Sequence, residues 1–122
     1  MPKTTKKEFE MFKAEVKEAI DNWGLYGWEV SIRHANDPES PNALAVCNAD
    51  LPGRFSIISL STTISENEAR ERIPGSGFHE AAELLLMPLY ILASDRFATQ
   101  DQIDGARHDI IRRLEHAHFK NP

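Results

Sequence analysis

The chain has a single cysteine, Cys47, and one thiol cannot close an intramolecular disulfide. No oxidative framework holds such a fold, and the expected compartment is a reducing one, the cytoplasm. Long apolar runs are also missing. The longest, residues 84–93, is about half the roughly 20 residues that a spanning helix needs and carries Pro88, so it reads as a core helix rather than a membrane span. Positive charge is scarce: 14 Lys and Arg against 19 Asp and Glu leave a formal net charge of −5. Nucleic acid and anionic lipid need clustered cations. Lys3, Lys6 and Lys7 are too few to supply them, so neither partner is expected. The opening "MPKTTKKEFEMFK" is basic but passes into acidic and amphipathic residues without the apolar stretch of a secretory signal. There is no internal repeat and no low-complexity tract.

What remains is an ordinary globular composition over 122 residues, enough for one core, and the chain reads as a single domain over 1–122. Thr5 with Glu8 forms a capping-box pattern, and Phe9, Phe12, Val16, Ile20 and Trp23 recur at helical spacing until Gly24, which predicts a helix over 6–22. Trp28, Val30 and Ile32 then alternate with Glu29, Ser31 and Arg33 as a half-buried strand does. The turn-rich loop "NDPESPN" follows. "ALAVCNA" and "RFSIISLS", joined by "DLPG", read as an antiparallel hairpin. Ser65 with Glu68 suggests a short helix over "ENEARERI", which "PGSG" interrupts. A helix is expected over 78–95, kinked at Pro88. Thr99 with Gln102 caps a last helix carrying Ile103, Ala106, Ile110, Leu114 and Ala117, ending near His118. The order implies an α+β fold: an N-terminal helix, a small three-stranded, mainly antiparallel sheet, a short helix, and two C-terminal helices packed on one face.

The stretch "GFHEAAELLLMPLY" (77–90) sets His79, Glu80 and Glu83 at the head of an otherwise apolar helix. Burying charge is costly unless it is paired, hydrogen-bonded or bound to a metal. Residues four apart share a helix face, so His79 and Glu83 can hold one ion between them, with Glu80 beside it. The metalloprotease motif HExxH uses this geometry, with two histidine ligands and the intervening glutamate as general base. "HEAAE" keeps the first ligand and the base and replaces the second histidine.

Together with "WEV" (28–30) and "IIRRLE" (110–115), this motif and the "LLL" after it resemble the small phage-associated HExxH metallopeptidase-like proteins, over about three quarters of the chain. The resemblance implies a zincin-like fold, a bacterial-host cytoplasmic setting, Zn2+ as cofactor, and a metal site on the third helix completed from the last one. Zinc accepts two histidines and one glutamate as a catalytic ligand set. Glu83 would be that glutamate, and His108 is the candidate for the second histidine, with Asp104 and Glu115 as alternatives on the same side. Glu80 would be the catalytic base, and "RFSIISLS" would offer a strand edge to an extended peptide.

A structural reading competes with this one. Glu80 and Glu83 lie in the first turns of a helix, where carboxylates are favoured by the dipole, and Arg107 or Arg112 would pair with them; His79 would be a hydrogen-bonded, partly buried histidine. The glycines of "PGSG" bear on both readings. With Ser76 as cap, His79 falls in the first helical turn, a poorly supported place for a ligand; alternatively the glycines let a loop move over the site. His116 and His118 read as surface residues at a helix C-terminus, His34 as a strand end without a metal partner, and Cys47 as packing. Trp23 and Trp28 are expected to close the core over the first helix. Two functions follow from the sequence: a diverged zinc metallopeptidase-like protein, or a non-enzymatic protein-binding or inhibitor module on the same scaffold. A homodimeric structural or regulatory component is a third.

Overall fold

The computed structural model describes residues 2–65 and 70–119. Helix α1 (Lys6–Trp23) starts at the expected capping box: Glu8 N–H donates to Thr5 Oγ1, and Thr5 N–H donates to Glu8 Oε1. It stops at Gly24, whose φ of 62° is the left-handed conformation that glycine adopts at no steric cost. Strands β1 (Glu29–His34), β2 (Ala45–Asp50) and β3 (Phe55–Leu60) follow, then a 3-10 turn (Arg70–Arg72), α2 (Ser76–Ala93) and α3 (Gln100–His118). The second capping box, Thr99 with Gln102, opens α3 as expected. The short helix over "ENEARERI" falls partly on residues 66–69, outside those described; its remainder is the 3-10 turn.

The sheet order is β1-β3-β2. β2 and β3 form the expected antiparallel hairpin, but β1 runs parallel to β3, so the sheet is mixed. β3 is therefore central and paired on both sides, and the edge that "RFSIISLS" was expected to offer a peptide is already taken. The strand next to open space on that side is β2.

The register explains which face is buried. Cα partners Val30↔Ser56, Ile32↔Ile58, Cys47↔Ile58, Ala49↔Ser56 and Ala45↔Leu60 bring the side chains that pack toward the helices onto one face of the sheet. Ile58 and Leu60 meet Phe12, Val16, Leu84 and Leu85 in the core, and Trp23 and Trp28 join it, as expected. α3 packs on α1 and α2. Its C-terminal half is tied to the end of α1, where Arg113 donates to Gly24 O and His116 Nδ1 lies 2.9 Å from Asn22 O.

One expectation fails within α2. The apolar run 84–93 was expected to be core, but only Leu84 and Leu85 are buried; from 86 to 93 every residue is half-buried or exposed. The helix continues through Pro88 past the end of its packing.

Candidate metal centre

The site begins with how α2 starts. "PGSG" does not supply the serine cap. Gly75 is the N-cap, with φ of 91°, and makes no side-chain cap bond, while Ser76 Oγ donates backward to Ile73 O at 2.6 Å. Ser76 N–H also turns back to Ile73 O, and the two donors on either side of it go to α1: Gly75 N–H donates to Glu15 Oε2 at 2.8 Å and Gly77 N–H to Glu15 Oε1 at 3.1 Å. Gly77 is required by proximity, since a Cβ there would lie 2.5 Å from Phe12 O and 2.8 Å from Glu15 Cβ. Two helices that approach this closely need glycine at the contact. Trp23 packs on Phe78 beside it, with ring centroids 5.1 Å apart.

His79 is then the fourth residue of α2, past the end that Glu15 ties down. Its Nε2 lies 3.2 Å from Glu83 Oε2 one turn on, and both side chains are exposed. Glu80, beside them, is buried, 5% exposed. One ligand atom from each of His79, Glu80 and Glu83 lies within 4.8 Å of the other two, and among the described residues this is the group of histidine, cysteine and carboxylate side chains able to hold a metal ion. Burial, first, and then the charge and hydrogen bond of Glu83 push the Glu80 carboxyl up to about 8. A carboxylic acid held in this way is mostly protonated at neutral pH and shares its proton with its neighbour.

The remaining expected ligands are not part of this group. His108 is exposed on α3, with Nδ1 2.8 Å from Asp104 O one turn back, and is not part of the group. Ala117, near the end of α3, lines a hollow with Phe78 at the head of α2. His108 precedes it by nine residues, about 13 Å down the α3 axis. Asp104 pairs with Arg107 at 3.4 Å and accepts from Gln100 Nε2 at 3.1 Å. Glu115 O accepts the α3 capping N–H of Phe119. Arg107 is thus engaged within its own helix, on a different helix from the Glu80–Glu83 pair.

Two hollows flank the group. Leu44 and Ala45, at the start of β2, line one of about 490 Å3 together with His79, Glu80 and the segment Arg72–Ser76's ends, Arg72 and Ser76. On the other side Cys47, Asn48, Ala49, Glu83, Leu86 and Tyr90 line one of about 410 Å3. β2 and α2 therefore form the two walls of a cleft with the carboxyl pair between its halves. Cys47 faces this region: burial pushes its thiol up to about 11, a hydrogen bond with Ser56 opposes this, and the charges of Glu80 and Glu83 add to the rise. It is a poor nucleophile there. His34 is structural, stacked on Phe9 at 4.9 Å with Nε2 2.6 Å from Thr4 Oγ1.

Sequence reasoning missed Glu15 and the proximity of Cys47 to the site. Glu15 sits one residue before buried Val16 on an otherwise amphipathic helix, and its partners are backbone groups 60 and 62 residues away. No local pattern announces such a contact. Comparison with protein-family models, curated proteins and solved structures finds no match to the chain. Among the described residues no helix is long and apolar enough to cross a membrane. The chain thus has an α+β fold carrying a His/Glu/Glu group with the composition of a metal site.

Proposed function

We propose that the protein is a zinc-binding, metallopeptidase-like protein whose site is His79 and Glu83 as ligands and Glu80 as the proton-handling group, acting on an extended peptide laid along β2. The observation that carries this reading is the buried Glu80 carboxyl, whose neighbour is another carboxylate with a histidine beside it. Such a pair must hold a proton or a cation.

The donor set fits zinc. Ligands at about 2.0–2.1 Å in a tetrahedral shell are separated by roughly 3.4 Å, close to the 3.2 Å between His79 Nε2 and Glu83 Oε2. Two protein ligands leave the shell open, and His108 is not part of the group. Zinc bound there would polarise a peptide carbonyl and make water more acidic. The residues do the rest. His79 and Glu83 would hold the ion on one helix face, and Glu80 would accept a proton from water at its carboxylate oxygen and return it to the departing amine nitrogen. The first hollow is lined by Leu44, Ala45, His79 and Glu80, and β2 is an edge strand, the kind of element to which an extended peptide adds by strand pairing.

The test is zinc titration calorimetry combined with a peptide-library hydrolysis assay. Wild type is expected to bind zinc and cleave; Glu80→Gln is expected to retain zinc and lose cleavage. Cleavage undiminished in Glu80→Gln would remove Glu80 from the role assigned to it.

A second reading, a protein-binding or inhibitor module without catalysis, is favoured by residues 86–93. A helix segment that is apolar on all sides is ordinarily buried, yet Leu86 is 47% and Tyr90 68% exposed beside the cleft. Under this reading Glu80→Gln leaves binding intact, whereas Tyr90→Ala weakens it.

A further inference from the structure

We infer that Glu15, on α1, is the positioning residue of the His79–Glu80–Glu83 group. This rests on the metal-binding reading above and adds a residue that the motif itself does not contain.

α2 lacks the usual means of fixing its own start. Its N-cap is a glycine without a side chain, and the following serine points back to Ile73 rather than into the helix. Isolated first turns fray when their donors lack partners. In α2 the partner is imported: the two carboxylate oxygens of Glu15 divide between Gly75 N–H and Gly77 N–H, one before and one inside the first turn. A carboxylate at a helix N-terminus also opposes the positive end of the helix dipole. Because each oxygen takes a different N–H, the pair of bonds fixes rotation about the α2 axis as well as the end of the helix. Rotation matters here, since it decides whether Glu80 is buried while His79 and Glu83 beside it stay exposed. Gly77 against Phe12 O makes the same contact intolerant of slippage.

Glu15 spends its two carboxylate oxygens on the Gly75 and Gly77 N–H groups rather than on the three side chains, so its effect is on where they point. Burial of Glu80 follows from that rotation, and the i,i+4 reach from His79 to Glu83 holds only while the first turn stays helical. The amide in Glu15→Gln keeps the shape and the packing but presents a donor where one N–H needs an acceptor, and removes the charge. That variant frees the first turn without opening a cavity.

Thr99→Ala is the control: it removes the side-chain cap of α3, a loss of the same kind on a helix that does not carry the group. Two readouts are needed. In zinc-free protein, amide hydrogen exchange at residues 77–80 is expected to rise about tenfold or more in Glu15→Gln and to stay at the wild-type rate in Thr99→Ala. In zinc titration, Glu15→Gln is expected to weaken binding about tenfold at a temperature where both variants are fully folded, with Thr99→Ala unchanged. Unchanged exchange at 77–80 in Glu15→Gln overturns the inference whether or not zinc binds. So does equal weakening of zinc binding by both variants, which would make the effect one of general stability. Wild type that binds no zinc, with exchange raised as expected, would overturn the metal-binding reading while leaving Glu15 as the residue that sets the first turn of α2.

Discussion

Glu80 makes the stability of this protein depend on pH in the opposite sense to most carboxylates. Its folded-state carboxyl is raised from 4.5 to about 8, so the folded protein holds a proton that the unfolded chain has released. Stability from this group is fully present below about pH 4.5 and is lost as pH rises toward 8. Between those limits the slope is about −1.4 kcal/mol per pH unit, and across the whole interval the loss is about 4–5 kcal/mol, a large share of the 5–15 kcal/mol typical of a small domain. The two other displaced carboxyls do not interfere. The Arg70 guanidinium holds Glu8 low, and the Asn48 side-chain amide holds Asp37 low, so both change charge at more acidic pH. The experiment is urea denaturation of chelator-treated protein at pH 5, 6, 7 and 8, beside Glu80→Gln. Glutamine is neutral at every pH, so the difference between the two proteins isolates the Glu80 contribution. The variant is expected to gain on the wild type by about 1 kcal/mol or more per pH unit as pH rises through this window. A difference that stays constant, or a wild type that gains on the variant toward pH 8, would refute the account of a buried acid pressed against Glu83.

Other outcomes follow from the same geometry. Gly77→Ala drives a methyl group into Phe12 O and Glu15, and is expected to cost about 1–3 kcal/mol by overpacking, read as a lower urea midpoint with an unchanged slope; no loss would mean α1 and α2 are not in close contact there. Cys47, with its thiol raised to about 11, is expected to react with iodoacetamide at pH 8 at least tenfold more slowly in the folded protein than in urea. Equal rates would place the thiol in open solvent.

Features governed by near neighbours were legible in the sequence. Both capping boxes, at Thr5 and Thr99, formed as read, because each closes within three residues. The β2–β3 hairpin was legible because a short turn joins the strands, and the burial of Trp23 and Trp28 because both flank one turn beside an amphipathic helix. The parallel pairing of β1 with β3 was not, since it skips β2 and depends on contacts made only when the sheet assembles. The density of Ile and Leu in "RFSIISLS" is the trace of its central place, as strands covered on both sides or paired on both edges carry the most apolar residues. Of the site, His79, Glu80 and Glu83 were legible because residues three and four apart on a helix are neighbours. His108 was chosen as a histidine beside the apolar stripe of α3, and a stripe carries no information about where along its length α3 meets α2. Residues 86–93 looked like core from hydropathy, but hydropathy does not say how far the core extends.

The most direct test of the central claim is the metal content, by elemental mass spectrometry, of protein purified without a histidine tag or chelator, beside His79→Ala. The account predicts close to one zinc per chain in the wild type and its loss in the variant. No transition metal in either protein, with zinc also failing to bind on titration, would contradict it and leave His79 and Glu83 as an ordinary surface pair above a buried acid.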